Sequence, residues 1–228
     1  MLVYGKNVFK EMDIKSVNKI YLVENFNDQQ LLKKINKKKT MYLSKSEMDK
    51  LVKGNHQGII GEIPDYQYYD LDDLLVKEQP FLVMLDHLED PHNFGAIIRS
   101  CEAAGVDGII IAKNRSVSVN STVMKVSAGA LANIKIAMVT NLVTTIKQLK
   151  SRNFKIIGTD MLGNDYKTID YCEKVCLIIG NEGKGISRLV KENIDEMACI
   201  PMKGKVTSLN ASVSAGIIIY EAVKQRIK

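Results

Sequence analysis

Three segments of the chain combine polar side chains and glycine more densely than core packing requires. The first runs from Asp86 to Gly95 and leads into Arg99, directly after the apolar run Phe81–Leu85. Polar loops at the carboxyl ends of strands are where open α/β sheets bind their ligands. At about 100° per residue, Arg99 lies roughly opposite the apolar stripe that contains Ile97, so it points away from the core. The segment predicts a ligand site, although a solvated helix arginine is the simpler explanation of Arg99 taken alone.

The second segment, Gly180–Ser187, follows the apolar run Val175–Ile179. It lacks the Gly-Lys-Ser/Thr of a phosphate-binding loop because Lys184 is followed by Gly185, and it lacks the third glycine of a dinucleotide-binding loop. It offers a backbone that a ligand can approach closely and one carboxylate, Glu182. A plain glycine-rich turn is the competing explanation.

The third segment, Ile200–Ser212, runs from an apolar stretch into the last helix of the chain. Either Ser208 or Asn210 is a suitable cap for that helix. Capping explains either residue alone, but it does not explain why four polar residues lie so close together: Ser208, Asn210, Ser212 and Ser214. The cluster therefore favours a binding role.

Alternating apolar runs and helical patterns must position these segments. We predict strands over Lys19–Val23, Thr40–Leu43, Gln57–Ile63, Phe81–Leu85, Gly108–Ala112, Asn133–Met138, Phe154–Thr159, Val175–Ile179 and Met197–Ile200. We predict helices over residues 28–37, 46–52, 121–127 and 141–152, one that Asn93 precedes and Gly105 ends, and a last one from about Asn210. This alternation predicts an α/β fold with a mostly parallel sheet.

The patterning predicts a small α/β domain over residues 1–63, an acidic linker over 64–80 between two prolines, and a larger domain over 81–228. The first 53 residues carry 12 lysines and 6 acidic residues, with a compact basic cluster at Lys33, Lys34, Lys37, Lys38 and Lys39. A solvated helix end and a phosphate-binding face explain the cluster about equally well.

The composition of the whole chain excludes several classes of protein. Its 228 residues, 46% of them apolar, can bury a core without a disulfide or a metal. No apolar run approaches the ~18 residues of a membrane span, and the first ten residues lack the apolar stretch of a secretory signal. Cys172 and Cys176 have no second cysteine pair or nearby histidines, so they are poor zinc ligands. We expect reduced cysteines in a cytoplasmic protein.

Taken in order, the three segments resemble the three signature motifs of the SpoU/TrmH family of RNA ribose 2′-O-methyltransferases. The match runs from Asp86 to Glu221, and the part from Tyr4 to Gly58 is similar to the ribosomal-protein-L30e-like substrate-binding domain of many members. The resemblance implies a SPOUT-type parallel sheet with a C-terminal trefoil knot, a feature that ordinary folds lack. It also implies a homodimer whose active site is completed at the subunit interface.

The resemblance further implies S-adenosyl-L-methionine as the cofactor and no metal. By position, Gly180, Ile200 and Leu209 correspond to backbone contacts with the cofactor, and Thr159 lines the adenosine pocket. The catalytic or substrate-binding positions of the family fall on Asn93, Arg99, Glu182, Ser208 and Asn210.

A physical mechanism follows from these assignments. The enzyme must hold a ribose 2′-hydroxyl in line with the S–CH3 bond. Family proposals make Arg99 the base, yet a guanidinium stays protonated in proteins. We therefore expect Arg99 to bind the adjacent phosphate and stabilise alkoxide charge, while the proton leaves to a phosphate oxygen or water. We expect Asn93, Ser208 and Asn210 to orient the ribose and Arg99, and Glu182 to anchor the loop or the arginine.

The leading functional hypothesis is S-adenosylmethionine-dependent 2′-O-methylation of a guanosine in 23S ribosomal RNA. A transfer RNA is the alternative substrate, because the motifs do not name the RNA, but the L30e-like extension favours ribosomal RNA. An RNA-binding or ribosome-assembly protein without catalysis is the alternative of another class. The five intact polar positions argue against it.

Overall fold

The computed structural model describes residues 1–227, and the chain divides into two units. One unit contains Met1–Gln67 and Val119–Gly129, and the other contains Tyr68–Ser118 and the described chain from Ala130 onward. The stretch expected to be a linker therefore joins the second unit from Tyr68, because Leu74 is buried in that unit's core.

Ten strands and eight α-helices are found in residues 1–227. The strands are β1 (Leu2–Tyr4), β2 (Lys19–Val23), β3 (Thr40–Leu43), β4 (Ile59–Glu62), β5 (Phe81–Leu85), β6 (Gly108–Ala112), β7 (Ile136–Val139), β8 (Lys155–Asp165), β9 (Val175–Ile179) and β10 (Glu196–Cys199). The helices are α1 (Lys6–Glu11), α2 (Gln29–Lys34), α3 (Lys45–Leu51), α4 (Pro91–Ala103), α5 (Ser121–Val126), α6 (Leu142–Lys150), α7 (Arg188–Lys191) and α8 (Ala211–Arg226). None of these helices is long and apolar enough to cross a membrane.

The first unit is built on a four-stranded sheet in the order β1-β4-β2-β3. Strand β4 is antiparallel to both β1 and β2, and β3 is parallel to β2. The predicted β2 and β3 are confirmed, whereas β1 and α1 were not expected from the sequence. Strand β1 has only three residues, and α1 begins without a side-chain cap, so neither leaves a clear signal. The helix predicted over 28–37 ends at Lys34, and Asn36 caps a separate 3₁₀ turn.

The second unit is built on a six-stranded, entirely parallel sheet in the order β10-β8-β9-β5-β6-β7. Every residue of β5, β6 and β9 is buried. A strand that is covered on both faces reads as a continuous apolar run, which is why these three were predicted with their observed bounds. The predicted α/β class with a parallel sheet is confirmed, and the trefoil knot stays a prediction.

Strand β8 contains the irregularity that shapes the site. Gly158 pairs with Met197 of β10, but the next paired residue of β8 is Asn164, opposite Ala198. The five residues 159–163 therefore leave the β8–β10 pairing as a bulge. Gly163 closes the bulge tightly, since a Cβ there would lie 2.3 Å from the Met197 carbonyl oxygen. The predicted strand 154–159 continues through this bulge to Asp165.

Helix α4 begins earlier than the sequence analysis placed it. Asp90 caps it by accepting a hydrogen bond from the His92 N–H at 2.9 Å, and Pro91 occupies the first turn. Asn93 therefore lies inside the first turn instead of preceding the helix. The end of the helix was predicted correctly, because Gly105 adopts a φ of +73° immediately after the C-terminal cap.

Candidate active site

A cavity of about 750 Å³ lies where three stretches of the second unit meet. These are the β8 bulge, the loop after β9 and the long loop between β10 and α8. Its lining includes all four predicted cofactor contacts, namely Thr159, Gly180, Ile200 and Leu209. Ligand pockets of proteins hold about 300–1,000 Å³, so the cavity suits a ligand of nucleoside size or somewhat larger.

The loop after β9 folds back on itself. Asn181 and Gly185 exchange two backbone hydrogen bonds, at 3.0 and 2.9 Å. The Asn181 side chain accepts hydrogen bonds from the N–H groups of Gly183 and Lys184, at 2.9 and 3.1 Å. Its amide group donates to the His87 carbonyl at 2.8 Å, which ties the loop to the segment after β5. Asn181 was not predicted as a site residue, although an asparagine at the start of a glycine-rich loop is a turn signal.

Gly180 is the position at which this loop tolerates no side chain. A Cβ there would lie 2.4 Å from the carbonyl carbon of Gly185 and 2.5 Å from the Ile186 nitrogen. Both neighbours are backbone atoms, so no side-chain movement relieves the clash. A glycine is required for the loop to close, and the same bare backbone lines the cavity.

Asp86 fixes the other end of the same loop and was also missed. Its carboxylate is buried, and it accepts a hydrogen bond from the Ser187 N–H at 2.6 Å. Its second oxygen lies 2.5 Å from Nδ1 of His87. A carboxylate directly after a wholly apolar strand is a signal that could have identified it, because such a group needs partners when it is buried. Asp86 thus joins the ends of β5 and the β9 loop.

Three of the predicted catalytic residues form one hydrogen-bonded chain. The Asn93 amide donates to Oε1 of Glu182 at 3.0 Å, and the Asn210 amide donates to Oδ1 of Asn93 at 2.9 Å. Oδ1 of Asn210 accepts from the N–H groups of Ser212 and Val213, so the residue also caps α8. Because the helix cap occupies its oxygen, Asn210 can only present its amide N–H groups to Asn93.

Ser208 and Glu182 also line the cavity, whereas Arg99 lies elsewhere. Arg99 is on the exposed face of α4, six residues or about 9 Å along the helix axis from Asn93. Among residues 1–227 its guanidinium has neither a hydrogen bond nor an ion pair. The structure therefore brings Asn93, Glu182 and Asn210 together and leaves Arg99 available to another molecule.

Charges around the cavity are of both signs. Asp160, in the β8 bulge, forms an ion pair with Lys191 at 2.5 Å, and the hydrogen bond from this lysine holds the pKa of the Asp160 carboxyl below its usual range. Lys184 and Lys205 also line the cavity and are exposed. Within the described chain, no group of three or more His, Cys, Asp or Glu residues is arranged to hold a metal ion.

Comparison with family models gives two matches that together span nearly the whole chain. Residues 80–220 match the model described as the SpoU rRNA methylase family. Residues 2–69 match the model described as RNA 2′-O ribose methyltransferase substrate binding. The first match contains the cavity and every candidate site residue, and the second contains the basic cluster.

Individual proteins show the same similarity. The chain is 42% identical to the Bacillus subtilis protein YacO, provisionally named a TrmH family tRNA/rRNA methyltransferase, over 98% of this chain and 95% of that protein. The SpoU methyltransferase AviRb from Streptomyces viridochromogenes, solved in complex with the cofactor AdoMet, superimposes with a TM-score of 0.78 at 27% identity, covering 100% of this chain and 90% of that chain. The A. aeolicus TrmH/SpoU tRNA modifying enzyme is 34% identical with a TM-score of 0.59, covering 68% of this chain and 79% of that chain.

Proposed function

The chain belongs to the SpoU/TrmH family of S-adenosylmethionine-dependent RNA methyltransferases, and we propose that it methylates a ribose 2′-hydroxyl, at a guanosine of 23S ribosomal RNA. One observation carries the proposal. The polar chain of Asn210, Asn93 and Glu182 ends on a residue that lines the cofactor cavity. Hydrogen-bonding groups that can orient a hydroxyl are thereby placed beside a pocket for a methyl donor.

The residues around the cavity fit S-adenosylmethionine. Gly180 supplies backbone to the cavity wall with no side chain to fill it, and Ile200 and Leu209 add main-chain groups and apolar surface on the opposite loop. The Thr159 hydroxyl donates to the Ile178 carbonyl at 3.2 Å, so its oxygen keeps lone pairs that can accept from an adenosine group. When bound, the cofactor supplies a methyl group that its sulfonium makes electrophilic.

The hydrogen-bonded chain of Asn210, Asn93 and Glu182 would orient the ribose. Asn93 accepts from Asn210 and donates to Glu182, which fixes the plane of its amide. A fixed amide presents its remaining N–H in one direction, and that N–H can donate a hydrogen bond to a ribose oxygen. Ser208 adds a rotatable hydroxyl on the cavity wall. In this proposal Glu182 is a positioning residue, because its described contact is the one that holds Asn93.

Arg99 would act on the substrate phosphate. A guanidinium in a protein carries a permanent charge and a planar fork of N–H donors, so it suits a bidentate phosphate contact and the stabilisation of a developing alkoxide. The proton of the 2′-hydroxyl then leaves to a phosphate oxygen or to water. Single-turnover methylation measured against pH tests this role. We expect a flat profile, whereas a log-linear rise with pH would indicate that deprotonation of a base limits the rate.

We also propose that the protein is a cytoplasmic homodimer. Arg99 is exposed and lies outside the cavity of its own chain, which suits a site that two subunits complete. Helix α8 exposes Val213 and Tyr220 at 50% and 53%, and apolar side chains of this size on one helix favour a protein contact. An enzyme that methylates ribosomal RNA must share the compartment of its substrate.

The first unit would bind the RNA. We assign residues 1–63 to an L30e-like substrate-binding domain and 81–228 to the methyltransferase domain; residues 64–80 connect them, and their part from Tyr68 belongs to the second unit. The match of residues 2–69 to a substrate-binding model supports this assignment. Four lysines of the basic cluster are exposed and suit phosphate contacts: Lys33, Lys34, Lys37 and Lys38. Lys39 differs, because its ammonium donates to the carbonyls of Val17 and Lys15 and so stabilises the fold.

A transfer RNA is the second candidate substrate, favoured by the 34% identity to the A. aeolicus tRNA modifying enzyme.

The third candidate function is RNA binding without catalysis, and the intact hydrogen-bonded chain of Asn210, Asn93 and Glu182 argues against it. Thermal unfolding distinguishes the third candidate, since a cofactor that binds only the folded state raises the midpoint by linkage. We expect S-adenosylhomocysteine to stabilise the protein.

The deciding experiment is methylation of total RNA from a strain that lacks the gene, using a labelled methyl donor. Asn93→Ala serves as the inactive control. We expect label in 23S RNA, at one guanosine whose 3′ phosphodiester becomes resistant to alkali because the 2′-oxygen is blocked. Label in transfer RNA would establish the second candidate. Label on a base, or none despite cofactor binding, would contradict ribose methylation.

A further inference from the structure

A basic loop follows β6 on the same unit as the cavity and has no role in the site described above. We call residues Lys113–Ser118 the β6 loop; Lys113, Asn114 and Arg115 are exposed. The loop lies in a stretch of unusual composition. Residues 108–159 contain eight lysines and arginines and no aspartate or glutamate, so no acidic residue near the loop in sequence offsets its charge.

Several other cations of this stretch are neutralised by residues distant in sequence. Lys150 pairs with Asp195, Arg152 with Asp72 and Lys155 with Glu196.

Among residues 1–227, Lys113 and Arg115 have no such partner, and they differ from the unpaired Lys147 of the same stretch in lying two residues apart on one loop. Within the described chain, neither their ammonium nor their guanidinium has a hydrogen bond or an ion pair. Two unpaired cations separated by one residue form a local concentration of positive charge at one edge of the sheet.

The backbone of the β6 loop is held firmly beside the candidate active site. Strands β5 and β6 are parallel neighbours, so the segments that follow them emerge side by side. The Val117 N–H and the Ser116 hydroxyl both donate to the Leu88 carbonyl, at 2.7 and 3.3 Å. The Lys113 N–H donates to the Val139 carbonyl at 2.8 Å. Leu88 lies between Asp86 and Asn93 in sequence, so the loop is bonded to the segment that carries the site.

Arg115 has a backbone conformation that arginine seldom adopts. Its φ is +53°, in the left-handed region where glycine and asparagine are favoured. The hydrogen bonds on either side hold the chain in this turn. Because glycine would be less strained here, a glycine substitution can test the side chain separately from the fold of the loop.

We propose that Lys113 and Arg115 bind phosphodiester oxygens of the RNA strand that flanks the nucleotide held at Asn93. The proposal rests on RNA being the substrate, as inferred above. Arginine matches two phosphate oxygens with two parallel N–H groups, and lysine supplies a compact charge beside it. Phosphate contacts set the register of a strand without reading its bases. The loop therefore raises affinity for every RNA sequence and does not choose the modified nucleotide.

The first test is RNA binding as a function of salt. A fluorescein-labelled, single-stranded RNA of about 20 mixed nucleotides is a sufficient probe, because phosphate contacts are independent of sequence. For Lys113→Gln/Arg115→Gln we expect about ten-fold weaker binding. We expect the slope of log affinity against log salt to fall by about 1.4, at roughly 0.7 for each phosphate that the variant no longer neutralises. Lys147→Gln is the matched control, since Lys147 is an exposed lysine of α6 with no ion pair in the described residues; it should change neither quantity.

A second variant separates recognition from loop structure. Arg115→Gly removes the guanidinium and relieves the unfavourable φ together. We expect its thermal midpoint to stay level or rise while RNA affinity and the salt slope fall. Arg115→Lys should keep the salt slope. A lower midpoint with unchanged RNA binding would show that Arg115 serves the loop only.

The outcomes distinguish this inference from the proposed function. Affinity and slope that are unchanged in the double variant overturn the inference, whether or not the wild-type protein methylates RNA. A wild-type protein that binds the probe but methylates no RNA contradicts the proposed function, and the binding data still decide the role of the loop. In every variant, unchanged affinity for S-adenosylhomocysteine verifies that the cavity is intact.

Discussion

The glycine that follows β9 offers a direct test of the cofactor pocket. Gly180→Ala places a Cβ 2.4 Å from backbone of the same loop, so the loop must shift. Because the shifted backbone lines the cavity, we expect the affinity for S-adenosylhomocysteine, measured by titration calorimetry, to fall by about ten-fold or more, which corresponds to about 1.4 kcal/mol of lost contact. Gly183→Ala is the control, since its nearest neighbour would be Asn181 Oδ1 at 3.7 Å. Equal losses in both variants would contradict the steric argument.

The role of Glu182 can be separated into charge and geometry. Glu182→Gln keeps an oxygen that can accept from the Asn93 amide, whereas Glu182→Ala removes it. If Glu182 positions Asn93, we expect the glutamine variant to stay within about ten-fold of wild type in single-turnover methylation and the alanine variant to fall about 100-fold. A base requires the carboxylate itself. Equal, severe losses in both variants, with a pH profile that follows a carboxylate, would make Glu182 the base.

The β8 bulge contains an ion pair, between Asp160 and Lys191. The Lys191 hydrogen bond lowers the pKa of Asp160 from its ordinary 3.8, so the folded state favours the charged carboxylate. The resulting stabilisation is fully present above the ordinary pKa and is lost as the pH falls through the lowered value. Because both side chains are partly exposed, it amounts to less than about 1 kcal/mol.

Lys191→Met should therefore make the free energy of unfolding depend less strongly on pH in the acidic range. We expect the free energy of unfolding in urea to fall less between pH 6 and pH 3 for this variant than for the wild type, because the largest cause of the lowered Asp160 pKa is removed. Arg188→Met is the control on the same helix, as its pairing with Glu192 is long at 3.8 Å and both groups are well exposed. A pH dependence that parallels the wild type would show that Lys191 does not act on Asp160.

Elements that are buried on both faces were predictable, and irregular ones were not. The all-apolar runs of β5, β6 and β9 set their own bounds, because no residue in them suits solvent. The β8 bulge has no such signal, since its residues are partly exposed and its register depends on β10, about 40 residues later. The order of the three family-like segments was enough to identify Asn93, Glu182 and Asn210 as candidate site residues. The hydrogen bonds that join these residues, however, connect positions 89 and 117 residues apart in the chain. Contacts of that range depend on the whole sheet, so local patterns cannot reveal them.

Where Arg99 acts is a question about the assembly rather than about one chain. Its guanidinium is exposed, and its own cavity is lined by other residues. In the proposed symmetric dimer, a residue that lies outside the cavity of its own chain can contribute to that of the partner, and the arrangement then occurs twice. Light scattering should first give a mass of twice the 25.5 kDa chain. A monomer that is fully active would contradict a shared site at once.

Mixed dimers of two inactive variants then decide between the subunits. Arg99→Ala lacks the arginine but keeps the cofactor pocket, and Gly180→Ala lacks the pocket but keeps the arginine. If each site takes its pocket from one chain and Arg99 from the other, a mixed dimer regains one complete site. Random pairing makes half of the dimers mixed, so co-refolded protein should recover about a quarter of the wild-type activity, while each variant alone stays inactive. If Arg99 acts within its own chain, neither half of a mixed dimer is complete, and the activity of the mixture stays at the level of the separate variants.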